Sequence, residues 1–121
     1  MTVLHDITVI CPTFNSEKYI EKTINSILSQ STSFKELIIS DDGSLDQTIK
    51  IIEAIFLSYE GEVNCKLIKN PHLGPGAARN AAIKVAKGDW IAFIDSDDLW
   101  EVNKIEEICL TISKQEKDLT H

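Results

Sequence analysis

Short apolar runs alternate with longer amphipathic stretches four times along the chain. The runs cover residues 7–11, 36–40, 63–68 and 90–94, and their length and composition are typical of β-strands. The third run alternates only partly between apolar and polar residues, so we expect it to lie nearer a sheet edge. The fourth run stands between Gly88 and an acidic cluster and is expected to be buried on both faces.

Each apolar run is followed by residues with helical character. Three of these stretches carry apolar stripes at helical spacing, which are Ile20, Ile24, Ile27 and Leu28; Ile49, Ile52, Phe56 and Tyr59; and Ile105, Ile108, Cys109 and Ile112. The remaining stretch is rich in alanine, with Pro75 at its first turn and Gly88 after its end. The sequence therefore predicts four helices, one after each strand.

Local signals indicate where these elements begin and end. Pro12 cannot donate a backbone hydrogen bond, so the first strand is predicted to stop there. Asn15 or Ser16 is predicted to cap the first helix. Ser44 followed by Gln47 has the form of a capping box for the second helix.

Alternation of strands and helices favours a parallel sheet, because right-handed crossovers return the chain to the same edge. The sequence therefore predicts an α/β fold with a parallel sheet of about four strands and helices on both faces. The carboxyl ends of parallel strands meet at one edge, and such folds bind ligands there. Three polar loops, residues 12–15, 41–44 and 95–98, are expected at that edge.

Composition narrows the possible classes of function. The chain has 121 residues and a formal net charge of −7, which suits one globular domain and argues against binding to nucleic acid or an anionic membrane surface. It has no apolar run long enough for a membrane span and no signal-peptide pattern, so we expect a cytoplasmic protein. The cysteines are far apart and are expected to be reduced, and the histidines lie in unrelated contexts that give no support to a histidine metal site.

Asp95 and Asp97 suggest a metal site. Alternate residues of an extended segment point the same way, so both carboxylates could reach one hard cation. Like charges about 4 Å apart repel by ~4 kcal/mol at an effective dielectric of about 20, and Mg2+ or Mn2+ would offset that repulsion. The pattern is short, and the alternative that Asp98 only caps the next helix stays open.

Residues 74–80 (GPGAARN) combine small residues with one arginine. Gly74 and Gly76 allow close approach of a backbone, and the fork of Arg79 suits phosphate oxygens. The alternative is a glycine turn beside a surface arginine. The segment lacks the Gly-Lys-Ser/Thr ending of a Walker phosphate loop, and the three-glycine dinucleotide fingerprint does not follow the first strand.

Four segments, taken in order, resemble the successive motifs of family 2 glycosyltransferases. They are residues 7–15 (ITVICPTFN), 40–46 (SDDGSLD), 74–80 (GPGAARN) and 88–98 (GDWIAFIDSDD), so the resemblance covers nearly the whole chain. It implies a Rossmann-like nucleotide-sugar-binding half domain of the glycosyltransferase A fold. It also implies a nucleotide-diphosphate sugar donor, often a UDP-sugar, and a divalent metal, Mn2+ or Mg2+, that bridges the Asp-x-Asp carboxylates and the donor diphosphate.

The resemblance also assigns site residues by position. The residues expected to bind the nucleotide sugar are Pro12, Thr13, Asn15, Glu17, Asp42, Arg79 and Asp95, and those expected to bind metal are Asp95, Asp97 and Asp98. Asp42 would accept a hydrogen bond from the imide N–H of uracil, and Arg79 would face the diphosphate. Asp95 would face the ribose or the metal. Asp41 would orient its turn, and Asp98 would either share the metal site or cap the last helix.

Two residues depart from the usual pattern of the family, Cys11 and Leu45, and neither is expected to disturb binding. Members of the family continue past the Asp-x-Asp helix to strands that carry the acceptor site and a catalytic carboxylate. We therefore expect residues 1–121 to be a single nucleotide-sugar-binding domain, truncated before that half, with the general base beyond His121. Alone, it is expected to bind nucleotide and metal weakly and to transfer little or no sugar.

The reaction implied is inverting transfer of a sugar to a hydroxyl of a carbohydrate, lipid-linked or protein acceptor. Two alternatives stay open. One is a non-catalytic nucleotide-sugar-binding or assembly module that needs a partner or the missing half, or that self-associates through an exposed sheet edge. The other is a phosphoacceptor signalling domain, which also combines alternating strands with acidic loops, although its acid pair should follow the first strand.

Overall fold

Strands and helices alternate through residues 5–119, the part of the chain that the computed structural model describes. The strands are β1 (Ile7–Thr13), β2 (Glu36–Asp41), β3 (Asn64–Lys69) and β4 (Trp90–Phe93). The helices are α1 (Ile20–Leu28), α2 (Thr48–Ser58), α3 (Pro75–Val85) and α4 (Lys104–Leu119). None of these helices is both long and apolar enough to cross a bilayer. Residues 1–4 and His121, considered above, lie outside the described residues.

The sheet is parallel throughout, with strand order β3-β2-β1-β4. From β1 the chain adds β2 and β3 on one side and then crosses back to place β4 on the other side. A ligand crevice opens at such a reversal, beyond the carboxyl ends of the strands, which here are β1 and β4. The order also differs from the 2-1-3-4-5 arrangement of phosphoacceptor signalling domains, which argues against that alternative.

Helices cover both faces of the sheet, as predicted. On one face, the core contains Ile24 of α1, Ile52 of α2 and Cys109 of α4. On the other face, Ala82 of α3 packs against Ile10. The free cysteines, as predicted, are Cys11, Cys65 and Cys109. The predicted α/β architecture is confirmed.

Pro12 does not end the first strand, so that prediction was wrong. Pro12 and Thr13 still pair with the end of β2. On the other side, β4 has already ended, because its last residue, Phe93, lies opposite Ile10. The Ile10 carbonyl accepts a hydrogen bond from the Ile94 N–H, just after β4. Backbone groups two residues apart point the same way along a strand, so the nitrogen of Pro12 also faces this side. Since β4 has ended there, the missing N–H of Pro12 faces no strand.

The two outer strands are less buried than the two central ones. β3 lies at one edge with half-exposed side chains, as predicted. β4 lies at the other edge, and the prediction that it is buried on both faces was wrong, since Trp90, Ile91 and Phe93 are 37%, 39% and 49% exposed. The reason is that α3 packs over β1 and β2 and leaves β4 uncovered.

The predicted helix caps do not form, because their side chains bond to neighbouring loops. Asn15 has a left-handed backbone, with φ +47°, and its side chain accepts a hydrogen bond from the loop after β2. The Ser16 hydroxyl bonds to the loop after β4. The Ser44 hydroxyl donates to Asp41 at 2.6 Å and accepts a hydrogen bond from the Asn15 N–H at 2.8 Å instead of capping α2. These polar residues therefore connect loops rather than begin helices.

A buried carboxylate stabilises the edge of the sheet opposite these loops. Glu36 is 1% exposed and accepts hydrogen bonds from the Thr8 hydroxyl and the Lys87 N–H. Its other oxygen accepts no hydrogen bond but forms an ion pair with the Lys66 ammonium, 3.0 Å away. Burial alone would raise the pKa of Glu36, but these contacts hold it below its ordinary value. Gly88 donates to the same Thr8 hydroxyl, so this network fixes the chain between α3 and β4.

Candidate functional site

The end of β1, the loops that follow the strands and the start of α3 line a cleft of about 300 Å³ at the carboxyl edge of the sheet. The lining residues are Pro12, Thr13, Phe14, Asp42, His72, Pro75, Arg79, Asp95 and Ser96. Those expected from the sequence to bind the nucleotide sugar are Pro12, Thr13, Asp42, Arg79 and Asp95. The cleft lies where the strand order reverses, which is the usual ligand position in this architecture.

Asp95, Asp97 and Asp98 form an acidic cluster beside the cleft. One carboxylate oxygen of each lies within 4.8 Å of the other two, and all three residues are exposed. A turn, not the predicted extended segment, brings them together: β4 ends at Phe93, and the Asp98 N–H donates to the Asp95 carbonyl at 3.1 Å. The turn includes Asp98, which does not cap α4, because that helix begins at Lys104.

The acidic cluster offers the donors that a hard divalent cation prefers. Oxygens on opposite sides of a six-coordinate Mg2+ lie about 4.2 Å apart, so exposed carboxylates whose oxygens lie within 4.8 Å need only small rotations to close on one ion. Their charge also affects a buried group, the Cys11 thiol. Burial is the larger cause, and repulsion from these three carboxylates the smaller, of a rise in the pKa of this thiol to about 12. A divalent cation would neutralise this charge.

Arg79 gives the cleft a positively charged group. It is the only arginine in the sequence, and it lies half-buried near the start of α3. Its guanidinium makes no hydrogen bond or ion pair with any residue between 5 and 119. A guanidinium without a protein partner, in the same cleft as Asp95, is suited to a phosphate whose other oxygens contact a metal.

Asp41 orients the loop after β2, as predicted. Its Oδ1 accepts hydrogen bonds from the hydroxyls of Thr13 and Ser44, each at 2.6 Å, and its Oδ2 accepts one from the Ser44 N–H at 2.7 Å. Asp41 is fully buried. The Thr13 hydroxyl is therefore held by Asp41, and Thr13 contributes shape rather than a free hydroxyl to the cleft.

Asp42 lines the cleft, and its side chain is only 5% exposed. Its Oδ1 accepts hydrogen bonds from the N–H groups of Leu73 and Gly74, at 2.9 and 3.0 Å. Its Oδ2 lies 3.0 Å from Nδ1 of His72. Both carboxylate oxygens are therefore in contact with the loop after β3.

Asn15 and Glu17, expected from the resemblance to bind the nucleotide sugar, lie outside the lining of the cleft. The Asn15 side chain accepts a hydrogen bond from the Leu45 N–H at 2.9 Å. The Glu17 carboxylate accepts one from the Gln47 N–H at 3.0 Å. Both residues join the loop after β1 to the loop after β2, so they affect the shape of the cleft indirectly.

The sequence analysis missed a set of hydrogen bonds behind the acidic cluster. The hydroxyls of Ser96 and Ser16 are 2.7 Å apart, and the Ser96 carbonyl accepts a hydrogen bond from the Thr23 hydroxyl at 2.9 Å. Ser96 lies between Asp95 and Asp97, which was the only signal available. The sequence predicts Ser16 only as a helix cap, and nothing in the sequence singles out Thr23.

The sequence analysis also missed an aromatic pair in the cleft. The rings of Phe14 and His72 stack, with their centroids 4.4 Å apart and their planes 16° apart. Phe14 belongs to the first motif, and His72 stands just before the glycine-rich segment. Their contact depends on the tertiary fold, which brings the loops after β1 and β3 together.

The chain matches the model of Glycosyl transferase family 2 over residues 8–121. Poly(ribitol-phosphate) beta-N-acetylglucosaminyltransferase TarS of Staphylococcus aureus is 37% identical over 117 residues, which cover 93% of this chain and 20% of that protein. UDP-Glc:alpha-D-GlcNAc-diphosphoundecaprenol beta-1,3-glucosyltransferase WfgD of Escherichia coli is 39% identical over 102 residues, which cover 83% of this chain and 38% of that protein.

Solved structures share the fold. The crystal structure of S. aureus TarS with UDP-GlcNAc matches with a TM-score of 0.79 and 35% identity, over 90% of this chain and 31% of that one. Glucosyl-3-phosphoglycerate synthase of Mycobacterium tuberculosis, in a complex that includes Mn2+ and UDP, matches with a TM-score of 0.61 and 27% identity, over 76% of this chain and 33% of that one. The predicted glycosyltransferase A fold is confirmed.

The chain spans between 20% and 40% of the length of these relatives and of a further curated one from Haemophilus influenzae. Within the chain, the family match begins at the second residue of β1 and includes the loops that line the cleft and the acidic cluster. The chain belongs to glycosyl transferase family 2.

Proposed function

We propose that this chain binds the donor of an inverting glycosyltransferase, a UDP-sugar together with Mn2+ or Mg2+. The observation that carries the proposal is the position of Asp95, which belongs both to the acidic cluster and to the lining of the cleft. A diphosphate beside Asp95 would therefore meet the metal site and the cleft at once. Arg79, which has no partner among the described residues, lines the same cleft.

The relatives support uridine diphosphate as the part of the donor that this chain binds. TarS was solved with UDP-GlcNAc, the mycobacterial synthase with UDP and Mn2+, and WfgD is named for UDP-Glc. Their names give different sugars and acceptors, whereas uridine diphosphate is common to all three. A site built for uridine diphosphate and metal is thus the function that the cleft supports best.

The metal and the diphosphate are assigned to four residues. Asp95, Asp97 and Asp98 hold the metal, which supplies positive charge to the leaving diphosphate when bound. Arg79 donates hydrogen bonds to the diphosphate through its planar guanidinium, and the strength of these bonds grows as negative charge develops there. The chain is acidic overall, so binding of an anionic donor depends on this local positive charge.

The nucleoside is assigned to the loops after β1 and β2. Asp42 accepts a hydrogen bond from the uracil imide N–H, a contact that a carboxylate makes with uracil but not with the N3 acceptor of cytosine. Pro12 and Thr13 form the wall of the cleft. Asn15 and Glu17 act by holding the two loops together, because their side chains bond to backbone N–H groups outside the cleft.

Sugar transfer also needs a general base within reach of the acceptor hydroxyl. Among the described residues, the carboxylates that line the cleft are Asp42 and Asp95, and this proposal gives both another role. We therefore assign the general base, and the site for a carbohydrate, lipid-linked or protein acceptor, to the part of the longer relatives that this chain does not span. This chain alone is then expected to bind donor weakly and to transfer little sugar.

One observation favours a second candidate, a module that assembles with a partner or a second copy. Ile91 and Phe93 of β4 are 39% and 49% exposed, and no described strand pairs with the outer side of β4. A strand added there would complete the sheet. Sedimentation equilibrium distinguishes the candidates, since a mass that rises with protein concentration supports assembly and a constant monomer mass opposes it.

Isothermal titration with UDP and Mn2+ tests the proposed donor site. We expect saturable heat for the wild-type chain and binding at least about tenfold weaker for Asp97→Ala, which removes one metal ligand. Asp89→Ala is the matched control, because Asp89 is an exposed carboxylate that precedes β4 at the opposite edge of the sheet. It should bind like the wild type. No saturable heat from the wild type, or equal heat from Asp97→Ala, would contradict the proposal.

A further inference from the structure

His72 makes three contacts inside the cleft, although its side chain comes from an exposed loop. Its ring stacks on Phe14, with centroids 4.4 Å apart and an interplanar angle of 16°. Its Nδ1 lies 3.0 Å from the backbone carbonyl oxygen of Asp42 and 3.0 Å from Oδ2 of the Asp42 carboxylate, the group assigned above to uracil. The imidazole is thus a planar ring that lies on an aromatic face and directs a ring nitrogen at Asp42.

We propose that His72 occupies the base subsite in the nucleotide-free protein and must leave before a uracil can bind. This inference rests on the proposed function. A uracil held by Asp42 would donate its imide N–H to the same carboxylate and would find the same aromatic face beside it. His72 therefore competes with the uracil for this subsite, and it lowers the affinity of the chain for any nucleotide whose base binds there.

A uracil cannot bind between the rings of Phe14 and His72 without displacing one of them. Carbon atoms in contact are separated by about 3.5 Å, so a base inserted between Phe14 and His72 would need ring centroids about 7 Å apart. The observed separation is 4.4 Å. The other oxygen of Asp42 offers no alternative, because it already accepts hydrogen bonds from Leu73 and Gly74.

The backbone around His72 is held in place, which confines the movement to the imidazole. Before it, the Asn70 N–H donates to the Asp41 carbonyl at 2.9 Å. After it, the N–H groups of Leu73 and Gly74 donate to Asp42. The backbone of His72 also packs against Gly43, which has a φ of +80°. A Cβ added to Gly43 would lie 3.0 Å from the backbone nitrogen of His72.

The imidazole itself is free to rotate into solvent. Its side chain is 62% exposed, so leaving Asp42 disrupts no packed core. Rotation about the Cα–Cβ bond would move the ring off Phe14 while the backbone hydrogen bonds on either side stay intact. Displacement therefore costs the stack, the hydrogen bond to the Asp42 carbonyl and the contact with the Asp42 carboxylate. An incoming uracil restores the stack and the contact with the carboxylate.

Titration of the chain with UDP and Mg2+, followed by NMR, tests the inference. We expect His72→Ala to bind UDP about tenfold more tightly than the wild type, which corresponds to about 1.4 kcal/mol. Inorganic pyrophosphate with Mg2+ has no base, so its affinity should be the same for both proteins. His5→Ala is the control, because the described part of the chain contains one other histidine, and it precedes β1 at the opposite edge of the sheet.

A second readout follows the wild-type ring directly. On saturation with UDP, the ring protons of His72 should move downfield as they leave the shielding face of Phe14, whereas those of His5 should not move. Equal or weaker UDP binding by His72→Ala, an equal gain for pyrophosphate, or unmoved His72 signals at UDP saturation would overturn the inference and leave the donor site intact. No response to UDP from either folded protein would overturn the proposed function together with it.

Discussion

The hydroxyl of Thr23, in α1, donates a hydrogen bond to the backbone carbonyl of Ser96 at a distance of 2.9 Å. Thr23 is fully buried, and Ser96 lies between Asp95 and Asp97 in the turn that forms the acidic cluster. The bond joins this exposed turn to a helix of the core. It therefore limits how far the three carboxylates can spread when repulsion between them drives them apart.

Replacing Thr23 with valine should weaken both metal binding and the fold. The substitution keeps the shape of the side chain and removes the donor to Ser96. We expect the affinity for Mn2+ to fall by roughly tenfold, as when groups that orient metal ligands are lost, and the free energy of unfolding to fall by about 1–2 kcal/mol. Calorimetric titration with Mn2+ and denaturant unfolding measure the two effects.

Thr111→Val is the matched control for this substitution. The Thr111 hydroxyl also donates to a backbone carbonyl, that of Glu107 at 3.0 Å, but on the exposed side of α4. Its loss should leave Mn2+ affinity unchanged. Should Thr23→Val bind Mn2+ as tightly as the wild type, the bond to Ser96 does not position the acidic cluster.

The elements of the fold could be predicted because each depends on a local repeat. Ile20, Ile24 and Ile27 recur at helical spacing, and all three are buried in the core. The convergence of Asp42 and Asp95 on one cleft could also be predicted, because the carboxyl ends of parallel strands must meet at one edge. These inferences need only the order of the elements and the direction of the strands.

The contacts between loops could not be predicted, because they depend on partners distant in sequence. Asn15 and Ser44 look like helix caps when only their neighbours are considered, yet the Asn15 side chain accepts a hydrogen bond from the Leu45 N–H and the Ser44 hydroxyl accepts one from the Asn15 N–H. The exposure of Phe93 was missed for a related reason. An apolar strand indicates a tendency to be buried, but it does not say whether a helix lies over it.

Glu36→Gln should reduce stability at neutral pH and have little effect in acid. The pKa of Glu36 is lower in the folded protein than its ordinary value. The ionised group therefore stabilises the fold above about pH 4.3, the ordinary pKa of a glutamate, and this contribution is lost as the pH falls through the lower, folded pKa. At pH 7 we expect a loss of about 3 kcal/mol, since Lys66 then lacks its buried partner.

Denaturant unfolding at pH 7 and pH 3 measures this difference. Glu53→Gln is the control, because Glu53 pairs with Lys69 at 3.0 Å with both side chains more than half exposed. Its loss should cost no more than about 1 kcal/mol at either pH. A stability difference between Glu36→Gln and the wild type that does not shrink between pH 7 and pH 3 would show that ionised Glu36 does not stabilise the fold.

Gly88→Ala should destabilise the connection between α3 and β4. A Cβ at this position would lie 2.6 Å from both the backbone nitrogen and the Oγ1 of Thr8, so β1 and the connection must move apart. We expect a loss of about 1–3 kcal/mol in the free energy of unfolding. Gly76→Ala is the control, because an added Cβ there meets nothing within 4 Å and a helical alanine is favoured over glycine by about 1 kcal/mol. Equal stabilities for the two variants would contradict the close contact at Thr8.

Paramagnetic broadening of backbone amide signals by Mn2+ tests most directly whether metal and uridine diphosphate bind together at the acidic cluster. With UDP and a small amount of Mn2+ present, signals of Phe14, Arg79 and Asp98 should broaden, because the effect falls steeply with distance from the ion. Signals of Glu36 and Gly88, at the opposite edge of the sheet, should keep their widths. Asp97→Ala should abolish the local broadening. Uniform broadening, or broadening centred on the exposed carboxylates of α4, would contradict a donor and metal site at this cleft.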